Sequence, residues 1–118
     1  MTRTIRSIVH PTDFSDLSMV AFAHALRIAL AAKSRLYLLH VGRWNDEVAW
    51  SSFPHVRRVL SQWGLMDEFA PQSAVAEITG VKVAKVQLGP QYVAGAMQEF
   101  LDDHPSELVV LGTHGREG

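Results

Sequence analysis

The sequence predicts an α/β domain built on a doubly wound parallel sheet. Two runs, Leu36-Tyr37-Leu38-Leu39-His40-Val41 and Leu108-Val109-Val110-Leu111, are apolar with almost no alternation, as in strands covered on both faces. Between the strand-like runs, apolar residues recur at helical spacings of three and four. Turn-forming residues follow each strand-like run: Pro11, Gly42, Gly89-Pro90 and Gly112. The resulting order, βαβαβαβ, predicts right-handed crossovers with helices on both faces of the sheet.

The first strand is expected from Ile5 to His10, ending at Pro11. Ser15 stands at an N-cap position, with Asp16 in the first turn, where a carboxylate favours the helix dipole. Met19, Phe22, Ala23, Leu26, Ala29 and Leu30 then mark one buried helical face, ending near Lys33-Ser34. After the second strand, residues 42–54 are irregular, polar and aromatic, with Trp44, Trp50 and Phe53. Whether these aromatics lie over a ligand or cover the core is not decided by the pattern.

Val56, Val59, Leu60 and Trp63 restore helical spacing, and Pro71 is expected to begin a further helical piece reaching Ile78. Gly80 ends that piece. Val81 to Leu88 forms the third strand, and Lys82, Lys85 and Gln87 mark it as an edge, where charge discourages aggregation. A helix presenting Val93, Met97, Phe100 and Leu101 precedes the fourth strand at Leu108–Leu111. That strand delivers Gly112-Thr113-His114-Gly115-Arg116.

Composition narrows the function classes. The 118 residues allow a single domain, 1–118, and 47% apolar with 19% charged residues suits a packed core. With a net charge of −1 and no basic stripe, nucleic acid is not an expected partner. The absence of cysteine excludes a disulfide framework, a thiolate zinc site and a cysteine nucleophile. No signal peptide or membrane span is read, so the expectation is a cytoplasmic protein without a membrane partner.

In doubly wound sheets, ligands bind beyond the carboxyl ends of the strands, where the strand order reverses. Those ends carry Pro11-Thr12-Asp13, Val41-Gly42, Gly89-Pro90 and Gly112-Thr113-His114-Gly115. Gly112 and Gly115 suit a loop whose amides approach a phosphate or ribose, although Gly-x-x-Gly is by itself a common turn and here lacks a P-loop lysine. Asp13 equally suits an ordinary turn or cap. His40 reads as a hydrogen-bonded core residue, and Ser15, His10 and Asp13 are too local to form a triad.

Ile8-Val9-His10-Pro11-Thr12-Asp13-Phe14-Ser15, Leu38-Leu39-His40-Val41, Gly89-Pro90 and Leu108 through Arg116 together resemble the universal stress protein family. The resemblance runs the length of the chain. It implies a flavodoxin- or Rossmann-like strand order, 3-2-1-4, with the family's fifth strand missing from these residues. It also implies ATP or another adenine nucleotide as ligand, with or without magnesium. Pro11, Thr12, Asp13 and the Val41 backbone would enclose adenine and ribose, while Leu111, Gly112, His114 and Gly115 would line the ribose and phosphate side.

The family's G-x2-G-x9-G-[ST] pattern is present only in its first half, so little preference for ATP over ADP is expected of this chain. No catalytic residue and no metal ligand is assigned, and any ATPase activity is expected to be slow and incidental. The expected role is a stress-response binding or signalling module, as a homodimer. The alternative is a family member that binds no nucleotide and acts through dimerisation and protein partners.

Overall fold

β1 (Ser7–Pro11) runs through the middle of a four-stranded parallel sheet seen in a computed structural model that describes residues 5–12, 16–41, 53–88 and 93–112. β2 (Arg35–Val41) lies on one side of it, from Ser7↔Arg35 to Pro11↔Leu39. β3 (Lys82–Leu88) pairs with the outer side of β2 along its whole length. β4 (Leu108–Val109) lies on the other side of β1, opposite Ile8 and Val9. The order is therefore β3-β2-β1-β4, as expected, with β3 at an edge.

Four helices connect the strands among the described residues: α1 (Asp16–Ala32), α2 (Val56–Gln62), α3 (Ala74–Thr79) and α4 (Val93–Asp103). The chain steps from β1 to β2 to β3 in one direction, then returns past β1 to reach β4. Crossovers of one hand consequently put α1, α2 and α3 on one face and α4 on the other.

The cores follow that division. Ile8, Leu36, Leu38 and Val81 pack with Phe22, Leu26, Phe53 and Leu60 on the first face. Val9, Tyr37 and Leu39 pack with Phe100 on the second. Neighbouring residues of β1 and β2 thus serve opposite cores, which is why their sequence shows no polar alternation. On the α4 side, the Tyr37 ring meets Phe100 edge-on at 5.2 Å, and His104 stacks on Phe100 at 4.2 Å.

Several boundaries differ from the sequence expectation. β1 begins at Ser7 and extends through Pro11, and β4 is only two residues long, although Val110 N–H still donates to Val9 C=O at 2.9 Å. Pro11 fits a strand end because it has no N–H to contribute to the ladder. α3 starts at Ala74 rather than at Pro71; the Pro71 carbonyl accepts from Ala74 N–H in a turn before the helix. Gly80 ends α3 in the left-handed region, at φ 78°, as expected.

On α1 the buried stripe is Ser18, Ala21, Phe22, Ala25, Leu26 and Ala29, whereas Met19 is 38% exposed. The stripe is rotated from the expected face: Ser18, Ala21 and Ala25 are buried, while Ala23 and Leu30 are only partly so. The helix ends with Lys33 at φ 54° and Ser34 N–H donating to Ala29 C=O, a Schellman-type stop with lysine in glycine's usual place. Ser15, Trp44, Trp50 and the Gly89-Pro90 turn lie outside the described residues.

Candidate functional site at the carboxyl ends of β1 and β4

The strand order reverses beside β1, so the carboxyl ends of β1 and β4 flank one crevice. Two hydrogen bonds fix its walls. Val110 N–H donates to Val9 C=O, and His10 Nδ1 lies 2.8 Å from Val110 C=O. Because a carbonyl oxygen can only accept, Nδ1 carries the proton, which sets the tautomer of this ring. His10 is fully buried and sits 6.1 Å, centroid to centroid, from Phe22.

Beyond β1, Thr12 is buried and donates its backbone N–H to Leu39 C=O at 2.7 Å. This bond continues the β1–β2 ladder one residue past the strand. Val41 ends β2, opposite Leu88. Past β4, Leu111 is 55% exposed and Gly112 lies against the first turn of α1.

The closeness of Gly112 to that helix is measurable. A Cβ at Gly112 would stand 3.0 Å from the Leu17 carbonyl oxygen and 3.3 Å from its carbon. Helix backbone therefore occupies the side-chain direction of this glycine, a packing reason for its identity that the sequence spacing did not reveal.

The structure thus brings Pro11, Thr12, Leu111 and Gly112 to the ends of adjacent strands, with Val41 one strand further on. Asp13, His114 and Gly115 lie outside the described residues. His40, expected in the core, is half-buried and its Nδ1 lies 2.9 Å from Gln87 Oε1 on β3. No group of three His, Asp or Glu side chains suited to a metal stands among the described residues. Nor is any described helix long and apolar enough to cross a membrane.

Two further polar features escaped the sequence reading. At the amino end of the sheet, Glu107 Oε1 accepts from Arg6 N–H at 2.8 Å and Ser7 N–H at 2.9 Å. These two bonds hold the Glu107 carboxyl below its ordinary pKa. On β3, burial and then the charge of Arg57 push the Lys85 ammonium below its ordinary pKa. The signal for Lys85 was available: alternation places it in the inward row with Val81 and Val83.

Helices and strand order together define a doubly wound α/β domain, a fold that takes its ligands at the switch point. Residues 4–118 match the universal stress protein family, and the chain belongs to that family. It is 30% identical, over 116 residues, to a universal stress protein of Methanocaldococcus jannaschii, covering 96% of this chain and 67% of that protein. A crystal structure of a Mycobacterium tuberculosis protein has the same fold with a TM-score of 0.65, at 20% identity, covering all of this chain and 79% of the other. A universal stress protein crystallised in complex with cAMP superposes with a TM-score of 0.59 at 18% identity, covering 91% of this chain and 71% of that one.

Proposed function

We propose that this protein binds an adenine nucleotide, ATP, ADP or AMP, in the crevice between β1 and β4. The reading takes it as a cytoplasmic, homodimeric binding or signalling module of a stress response. Pro11, Thr12 and Asp13 with the Val41 backbone would hold adenine and ribose. Leu111, Gly112, His114 and Gly115 would line the ribose and phosphates, with magnesium accompanying the phosphates where it is needed.

One observation carries the reading: the carboxyl ends of β1 and β4 are held side by side at the switch point by the His10–Val110 hydrogen bond of 2.8 Å. Family membership adds support, as does the relative crystallised with cAMP. Equilibrium titration with a fluorescent adenine nucleotide, competed by ATP, ADP, AMP and cAMP with and without magnesium, tests it. Saturable binding that Asp13→Ala weakens by roughly 1–3 kcal/mol is expected. Absence of saturable binding in the folded protein would remove the reading.

A second reading, action through self-association without nucleotide, rests on a different observation. Leu17, Val20 and Leu111 are 43%, 57% and 55% exposed, and Gly112 lies against the helix turn that bears Leu17. Val20→Glu should then lower the association constant seen by sedimentation, and the parent protein should show no saturable nucleotide binding.

A further inference from the structure

A second concavity lies at the β3 edge of the sheet, with β2 and β1 between it and β4. It encloses about 510 Å3 between β3, α2, α3 and the connection that joins the two helices. Arg57 fixes part of its wall by donating from Nη1 to the Ala70 carbonyl at 2.7 Å.

Its charge is lopsided. Arg57, Arg58, Lys82 and Lys85 line it against a single carboxylate, Glu68, in a protein whose formal net charge is −1. Arg58 Nε already lies 4.0 Å from Glu68 Oε2. Among the described residues, Arg57 and Lys85 have no ion pair. Burial, and then the charge of Arg57, lowers the Lys85 pKa.

An edge-protecting role explains Lys82, which is exposed, but not Lys85. Lys85 is half-buried in the row that includes Val81 and Val83, and its register partner is the fully buried Leu38. A lysine facing inward beside an arginine is unfavourable unless an anion joins them. The same cavity offers apolar surface from Val56, Val75 and Val83.

We propose that this cavity is a second ligand site, for a small molecule bearing an oxyanion. Its phosphate or carboxylate lies between Arg57 and Lys85, and its apolar body lies along Val56, Val75 and Val83. The planar guanidinium can take two oxygens at once, and the ammonium supplies a point charge from the strand. The site is separate from the β1–β4 crevice and stands or falls independently of nucleotide binding.

Phenyl phosphate and benzoate are the probes, with phenol as the uncharged control, in amide-resolved NMR titrations of the whole chain. Either anion should give saturable shifts at Arg57, Val83 and Lys85, and phenol should not. Tighter binding of phenyl phosphate identifies phosphate esters as the ligand source, and tighter binding of benzoate identifies carboxylic acids. Lys85→Gln and Arg57→Gln should each weaken the preferred anion about tenfold, while Lys82→Gln changes it less than about twofold. The bound anion should also raise the titration midpoint of the Lys85 side chain. The proposal is overturned if neither anion gives saturable shifts, if Lys85→Gln binds as well as the parent, or if the shifts fall on Thr12 and Gly112 instead.

Discussion

Gly112 sits so close to Leu17 that a Cβ at position 112 would stand 3.0 Å from the Leu17 carbonyl oxygen. The opposing atom belongs to helix backbone and cannot swing aside as a side chain would. Gly112→Ala should therefore destabilise the ligand-free protein by about 1 kcal/mol, and Gly112→Val by about 2–3 kcal/mol. Denaturant unfolding without nucleotide is the deciding measurement. Unchanged midpoints would mean that the loop moves away freely.

His10 joins β1 to the end of β4 from a fully buried position. Replacing it with Phe keeps most of the volume but removes the donor to Val110, so a loss of about 1–2 kcal/mol is expected. His10→Ala adds a cavity and should cost about 2–4 kcal/mol. If the crevice is the nucleotide site, His10→Phe should also weaken nucleotide binding, because it loosens one wall relative to the other.

Glu107 makes the amino end of the sheet sensitive to acid. Its folded-state pKa lies below the ordinary 4.5, because the ionised carboxylate accepts from two backbone amides. The stabilisation is thus fully present above about pH 4.5 and is lost as pH falls through the folded-state value. Glu107→Gln should lower stability at neutral pH, and the gap from the parent should close in acid. Parallel melts across that range test the sign.

Lys85 gives the same sign in the alkaline range, where stability also rises with pH, but at neutral pH it is a penalty instead of a gain. Its folded-state pKa lies below 10.5, so the charged form is penalised in the folded protein at neutral pH. That penalty is relieved as pH rises through the folded-state value toward 10.5. Lys85→Met should stabilise the protein by about 1 kcal/mol at neutral pH, with the advantage shrinking in alkali. A less stable Lys85→Met variant would show that the ammonium is well accommodated without a ligand.

Much of the fold was legible because its signals are local and repeated. The nearly unbroken apolar runs of β2 and β4 report burial on two faces, and the polar residues of β3 report an edge. Other features depend on which elements meet. Met19 fits the helical spacing of α1, but the buried stripe runs through Ser18 and Ala21 instead. Pro71 is a good helix-starting residue, yet the helix begins after a turn that uses its carbonyl.

At the crevice, the motifs identified which strand ends to compare, and the sheet order brought them together. The contact between Gly112 and Leu17 joins residues far apart in the chain, and no spacing rule encodes it. Lys85 was visible as a charge in a strand. Its inward orientation follows from alternation, but its proximity to Arg57 required the placement of α2.

The brevity of β4 has a consequence for hydrogen exchange. β1 and β2 lie inside the sheet, whereas β4 is held to β1 through the short stretch opposite Ile8 and Val9, extended by the Val110 amide. Amides of His10 and Leu39, which face the β1–β2 ladder, should exchange only with global unfolding, while that of Val110 should exchange through a cheaper, partial detachment. One wall of the crevice is then a separate cooperative unit from the other. A molecule bridging the two walls would join these units, and protection at Val110 would rise toward that of the sheet interior.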